Sequence, residues 1–274
     1  MSAIQSIQSN LGALYSLRNL QMNQATLSKS IQKLASGYRI NQAADDAAGL
    51  SISERMRSLL NGMDAASSNV MDAVSMLDTA EGGMSVIQSM LQDMRGLSIR
   101  ALSGTMTDTD REMLNGEFQQ LMGGINQIAS SNSFNNMKLL DGSQVNFQIG
   151  PDDAGYDQLA YSMGDMSISG MGLGSLDIST LDGARSAMAA LNGTINMVSQ
   201  QRGNIGAQVN RLEYTFDNLQ NSIENLMGAE SRIRDADIPL EMMRYSQSNL
   251  LMQTNQKMLG LSLQQKYSLL NLLV

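Results

Sequence analysis

From Leu181 to Ile233 apolar residues recur at spacings of three and four: Leu181, Ala184, Met188, Leu191, Ile195, Val198, Ile205, Val209, Leu212, Phe216, Leu219, Ile223, Leu226 and Ile233. Charge enters this heptad row only at Arg202 and Glu230, and no proline falls within it. A seam sustained so long on one helix face predicts an equally long partner helix. At ~1.5 Å per residue such an element is roughly 75–80 Å long. The partner pattern lies upstream. Met56, Met63, Val70, Leu77, Met84 and Leu91 form one row with sevenfold spacing, and Leu59, Ala66, Ala73, Ala80, Ile87, Met94 and Ala101 form the second. Rows of this kind predict a structural coiled-coil face rather than a cofactor box. Gly82 and Gly83 fall off the seam, at about 1 kcal/mol each relative to Ala. Arg202 and Glu230 have two open readings: they fix the register between helices or they snorkel to water.

Between the two long patterns the chain changes character. Gly104 ends the first, and Thr109-Asp110-Arg111-Glu112 predicts a capping box that opens a third helix. Leu114, Phe118, Leu121, Ile125 and Ile128 give that helix its stripe, and Ser130–Ser133 ends it. From Val145 the period becomes two, through Val145, Phe147, Ile149, then Leu159, Tyr161, Met163, then Met166 and Ile168. That alternation predicts a few short strands or hairpins. Gly170-Met171-Gly172-Leu173-Gly174 has no strand–loop–helix frame, so a flexible turn is predicted there rather than a phosphate cradle. The glycosylation-like Asn192-Gly193-Thr194 falls inside the heptad helix and is read as accidental.

Both ends of the chain are helical but thinly apolar. Ile4, Ile7, Leu11 and Leu14 form one stripe; Leu17, Leu20, Leu27, Ile31 and Leu34 form another, shifted by about one residue in phase. Gly37 has the place of a C′ residue, and Ser51 with Glu54 has capping-box spacing. Asp45 and Asp46 are adjacent carboxylates; with no other ligand type nearby they read as solvated turn charges rather than an acid–base or metal pair. Near the far end Pro239 interrupts the helix, and Ile238, Met242, Tyr245, Met252, Leu259, Leu263, Leu270 and Val274 form a second thin stripe. Stripes this thin cannot shield themselves. Ile4, Ile7, Leu11, Leu14, Leu27, Ile31, Leu34, Met252, Leu259, Leu263, Leu270 and Leu273 are therefore predicted to pack between identical subunits.

Composition narrows the chemistry. Only 2 prolines and 4% aromatic residues, beside many Leu, Ala and Met, predict a mainly α fold. The formal charge of −8 argues against nucleic acid as a partner, because phosphate neutralisation needs a basic surface. With neither histidine nor cysteine, imidazole and thiolate chemistry are excluded. No catalytic, cofactor-binding or metal residues are expected. Cysteine absence fits an extracellular bacterial protein and many cytosolic ones alike. No basic-then-apolar leader and no ~18-residue apolar run is visible, so no ordinary secretory signal or membrane span is expected.

Residues 34–56, LASGYRINQAADDAAGLSISERM, resemble the N-terminal signature of bacterial flagellin, the filament subunit of the flagellum, departing at Ala35, Tyr38, Gln42 and Ser51. Phe134–Gly142 resembles a second flagellin segment, with Asn136 where glycine is usual. Ser199–Glu213 and Ala229–Asp237 (AESRIRDAD) resemble two more, and Leu269–Val274 resembles the leucine-rich C-terminus. The resemblance covers nearly the whole chain. It implies a minimal flagellin: long antiparallel helices in coiled-coil-like packing with a small β-hairpin region, plus paired terminal helices. Residues 1–40 with 238–274 would form a terminal core domain. Residues 41–237 would form a helical shaft with a β region near 134–180, and no variable outer domain would be present.

What the resemblance implies for function is a secreted, extracellular subunit that polymerises with itself into the filament used for swimming. Terminal helices would order on assembly. Further partners implied are the flagellar cap, the hook-junction proteins, an export chaperone, the flagellar secretion apparatus and host innate immune receptors. For the last, Leu91, Gln92 and Arg95 lie in the matching stretch, where Gly96 and Arg100 depart from the family's residues. The rivals are a hook–filament junction protein, a flagellin-like enzyme and a generic coiled-coil effector. The first is set back by the closeness of the LASGYRIN and AESRIRDAD matches, and the second by the missing His and Cys.

Overall fold

The computed structural model describes the backbone of residues 11–271 and the side chains of residues 11–264. Five helices are found among the described residues: α1 (Leu11–Ser36), α2 (Ala47–Ala101), α3 (Asp108–Ser131), α4 (Leu181–Arg234) and α5 (Ile238–Asn271). Between α3 and α4 lie β1 (Ser133–Phe134), β2 (Met137–Lys138), β3 (Gln144–Gln148) and β4 (Gln158–Ser162). The fold is mainly α, as the heptad rows predict. The chain divides into two compact units: residues 1–58 with 225–274, and residues 59–224. The division falls within both α2 and α4.

The second unit holds the large apolar core. Every predicted seam residue of α2 from Ala66 to Ala101 is buried, and on α4 Ala184, Leu191, Val198, Ile205, Leu212 and Leu219 face the same core. Contacts Ser67–Gln220, Glu81–Arg202 and Gln88–Ser199 run in opposite numerical order, so the two helices are antiparallel. Helix α3 adds Phe118, Met122, Ile125 and Ala129 to the core. Gly83 is required where it is. A Cβ there would collide with the side-chain amide of Asn132, which donates to the Thr79 carbonyl at 3.1 Å and ties the end of α3 to α2.

The capping box of α3 lies two residues upstream of the predicted one. Thr107 is the N-cap; its Oγ1 accepts from Asp110 N–H at 3.2 Å and Asp110 Oδ2 accepts from Thr107 N–H at 3.0 Å. Thr109 and Glu112 lie inside the helix. Buried Arg111 explains the offset: its Nε donates to the Ala101 carbonyl at 3.0 Å and Nη2 to the Ser103 carbonyl at 3.3 Å, so the start of α3 is fixed by the end of α2. Helix α2 likewise starts earlier than Ser51. Asp46 Oδ1 accepts from Gly49 N–H at 2.9 Å at the helix start, while Asp45 Oδ2 accepts from Asn41 and Gln42 N–H at 3.2 Å. The adjacent carboxylates cap and turn the chain.

Strands β3 and β4 pair antiparallel, Val145 opposite Tyr161 and Phe147 opposite Leu159, so the period-two residues share one face and Leu159 and Tyr161 are buried. Burial raises the Tyr161 phenol above its ordinary pKa. Strands β1 and β2 form a tight hairpin through Asn135 and Asn136, both at positive φ (47° and 66°). Asparagine tolerates that left-handed geometry better than other non-glycine side chains. No strand forms around Met166 and Ile168; the glycine-rich turn that follows buries Met171 and Leu173.

Candidate functional site

The terminal helices α1 and α5 pack on one another in the first unit, with Cα atoms approaching within 8 Å. Ser30, late in α1, donates to Glu241 Oε1, early in α5, at 2.6 Å, so this pair is antiparallel too. Gly37 stops α1 in a left-handed conformation (φ 76°) while its N–H donates to the Lys33 carbonyl at 2.9 Å. Asp237 caps α5, accepting from Leu240 N–H at 3.0 Å across Pro239, which sits in the first helical turn where it has no hydrogen bond to lose.

The residues withdrawn from solvent show what kind of seam this is. On α1 they are Ala13, Ser16, Leu20, Asn23, Leu27, Ser30, Lys33 and Leu34; on α5 they are Glu241, Tyr245, Ser248, Asn249, Met252, Asn255, Leu259 and Ser262. Apart from Lys33 and Asn249, each set is a heptad seam with one apolar row and one polar row. The polar rows are Ser16, Asn23, Ser30 on one helix and Glu241, Ser248, Asn255, Ser262 on the other. Small polar residues permit the close backbone approach but contribute little hydrophobic stabilisation. Much of the apolar surface points away from the pair. Leu14 is 65% exposed, Leu11 63% and Met243 64%, with Tyr15, Leu17, Met22, Ile31, Leu240, Met242, Leu250, Leu251, Met258, Leu261 and Leu263 also open.

The predicted packing residues therefore separate. Leu27, Leu34, Met252 and Leu259 lie half-buried in the intrachain seam. Leu11, Leu14, Ile31 and Leu263 are exposed. Ile4, Ile7, Leu273 and the side chain of Leu270 lie outside the described residues. The sequence stripes found Tyr245, Met252 and Leu259 but missed the polar rows, because an apolar-only search cannot see a serine that faces a partner helix.

Where α1 ends and α5 begins, four helix ends are stapled. Ala236 N–H donates to the Gly37 carbonyl at 2.9 Å, Arg39 N–H to the Arg234 carbonyl at 2.6 Å and Arg39 Nη2 to the Ile233 carbonyl at 2.6 Å. The Tyr38 ring lies beneath the Arg234 guanidinium, 4.7 Å from its centroid, with that of Arg57 at 5.8 Å. Arg234 also donates to Glu54 at 2.9 Å. Glu230, one of the two charged seam positions, sits here: its side chain is 14% exposed, 3.6 Å from Arg57 Nε and 4.0 Å from Arg234 Nη1. The other, Arg202, lies in the second unit, donating to Glu81 at 3.0 Å through Nε and to Gln88 through Nη1. Both are paired across helices, which fits the register reading better than free snorkelling.

Of the residues matching the receptor-contact stretch, Gln92 and Arg95 are exposed on α2. Leu91 is fully buried in the core, so its side chain is removed from that surface; its place in the heptad row already required this. Two exposed carboxyls are held below their ordinary pKa, Asp110 by hydrogen bonds from Thr107 and Asp141 by hydrogen bonds from Ser143. Among the described residues no cluster of acidic side chains is arranged to hold a metal, and no helix is long and apolar enough to cross a membrane.

Comparison with known proteins supplies the family. Residues 7–145 match the bacterial flagellin N-terminal helical region and residues 188–273 the flagellin C-terminal helical region. The chain is 42% identical to a flagellin of Halalkalibacterium halodurans, over 97% of this chain and 99% of that one. It is 38% identical to a flagellin of Bacillus subtilis over the same shares. Among solved structures, Bacillus cereus flagellin has 27% identity and a TM-score of 0.50, covering 56% of this chain and 88% of that one. A putative hook-associated protein from Vibrio parahaemolyticus has a TM-score of 0.59 and covers 70% of this chain and all of that one, but at 12% identity it shows the fold alone and lends nothing to the junction alternative. A small helical chain with both terminal regions, and near-full-length relatives that are themselves flagellins, belongs to the bacterial flagellin family and is a structural protein rather than an enzyme.

Proposed function

We propose that this chain is the subunit of a helical flagellar filament used for swimming. The observation that carries the proposal is the outward apolar surface of α1 and α5. Leu11, Leu14, Ile31 and Leu263 are exposed on helices whose mutual seam is half polar. A single chain leaves that surface in water; identical neighbours can cover it, and a head-to-tail contact that does not close makes an open helical polymer. A relative from Treponema phagedenis carries the name flagellar filament core protein, in keeping with this reading.

Residues 1–40 with 238–274 then form a terminal core domain and residues 41–237 a helical shaft domain, with no outer domain. The subunit is exported through the flagellar secretion apparatus with a chaperone, and it enters a filament bounded by hook-junction proteins and a cap. Gln92 and Arg95 are the residues offered to a host innate receptor.

Removal of residues 2–34 or 238–274 tests the reading. The shortened chains are expected to keep a helical circular dichroism spectrum and to stay monomeric in sedimentation under conditions where the full chain gives filaments by electron microscopy. Normal filaments from either shortened chain overturn the proposal.

A further inference from the structure

The chain has 23 methionines and no cysteine, so thioethers are its soft oxidisable groups. Two groups among them differ in exposure and in place. Met76, Met84, Met94 and Met163 are shut inside the core of residues 59–224. Met22 on α1 and Met242, Met243 and Met258 on α5 are between 54% and 64% exposed, on the helices whose apolar surface the single chain leaves open. We propose that these four thioethers are a redox modification site: peroxide oxidises them in the free subunit and thereby blocks self-association, reversibly.

The step is an oxygen transfer. A sulfur lone pair attacks one oxygen of hydrogen peroxide, the O–O bond breaks, water leaves, and the thioether becomes a sulfoxide. Sulfur loses two electrons and peroxide gains them. The product is a strongly polar S–O group on a flexible side chain that had been apolar. In the free subunit it is solvated and the fold is untouched, because the core methionines are out of reach. In a polymer contact it must be buried without a partner, which disfavours association. A thiol-dependent methionine sulfoxide reductase reverses the change, returning the thioether and releasing water as its dithiol closes to a disulfide. Once covered by neighbours, the same sulfurs are shielded from peroxide. The inference rests on the assembly surface proposed above.

The test uses the full chain. Purified subunit is oxidised partially with hydrogen peroxide, induced to polymerise and separated by centrifugation, and sulfoxide is mapped in both fractions by peptide mass spectrometry. Sulfoxide at Met22, Met242, Met243 and Met258 is expected to be several-fold enriched in the fraction that fails to polymerise, above any enrichment at Met71 and Met113, which are as exposed but lie in the other unit. Treatment of that fraction with the reductase is expected to restore polymerisation. An even distribution of the four sulfoxides, or equal enrichment at Met71 and Met113, overturns the inference. If untreated chain does not polymerise, the assembly reading itself falls, an outcome visible before any oxidant is added.

Discussion

Two antiparallel helix pairs occur in this molecule, and their seams are built oppositely. Within residues 59–224 the α2–α4 seam is mostly apolar, broken on α4 by Arg202, which pairs with Glu81, and the predicted α2 row from Ala66 to Ala101 is buried together with Ala184, Leu191, Val198, Ile205, Leu212 and Leu219 of α4. Within the terminal unit the α1–α5 seam alternates an apolar row with Ser, Asn and Glu, and large apolar residues lie outside it. The first arrangement makes a core complete in one chain. The second holds two helices together weakly while leaving their hydrophobic surface for another molecule. Both use the same heptad spacing, so the spacing gives the pairing and the chemistry of each row gives the purpose.

The sharpest way to break this contrast is to delete one leucine from each pair. Leu77→Ala, in the α2–α4 core, is expected to lose about 2–5 kcal/mol of stability, measured by urea unfolding. Leu14→Ala, on the outer surface of α1, is expected to leave subunit stability nearly unchanged while raising the concentration needed for polymerisation. If Leu14→Ala destabilises the isolated subunit as much as Leu77→Ala, the two seams do not differ in kind.

Ser30→Ala probes a buried polar contact between the terminal helices. It removes a donor from a Glu241 carboxylate that is itself buried and otherwise paired with Arg244 at 3.3 Å. Loss of about 1–3 kcal/mol is expected, read as faster amide exchange along α1. The reverse change sharpens the comparison. Asn23→Leu with Asn255→Leu makes the polar row resemble its apolar neighbour and is expected to gain about 1 kcal/mol per half-buried leucine, seen as slower exchange in α1 and α5. Unchanged exchange would mean that the polar row is not what weakens this seam.

The smallest effect expected is an acid effect confined to the second unit. Hydrogen bonds from Thr107 hold the Asp110 carboxyl below its ordinary 3.8. A group whose folded pKa lies below its unfolded one stabilises fully above the unfolded value and loses that contribution as pH falls on through the folded one. The first turn of α3 is therefore expected to loosen under acid below that ordinary value, seen as NMR shift changes at Thr107 and Asp110. In Thr107→Ala the extra acid sensitivity should shrink, because only the backbone N–H of residue 107 and Arg111 still favour the Asp110 carboxylate.

Much of this was legible in the chain. The heptad rows predict α2 and α4 closely, Gly37 marks the end of α1, and the flagellin-like stretches point to the family. The misplaced features have local physical causes. Thr109–Glu112 has the capping spacing, but the buried Arg111 reaches back to Ala101 and sets the start of α3 at Asp108 instead. Leu91 sits in a stretch that resembles a receptor contact, yet its heptad position commits it to the core.

Sequence by itself determined the long helices, because a buried stripe must repeat with the helical period and few other patterns do so for so many residues. Only the tertiary structure decided which side of each terminal helix meets its intrachain partner. Along α1 and α5 the stripe residues divide, with Leu27, Leu34, Met252 and Leu259 in the seam and Leu14, Ile31, Met242 and Leu263 outside it, so apolar periodicity alone does not choose the face. The choice falls to rows of serine and asparagine small enough to let two backbones come close, with the larger Leu, Met and Ile side chains left outside.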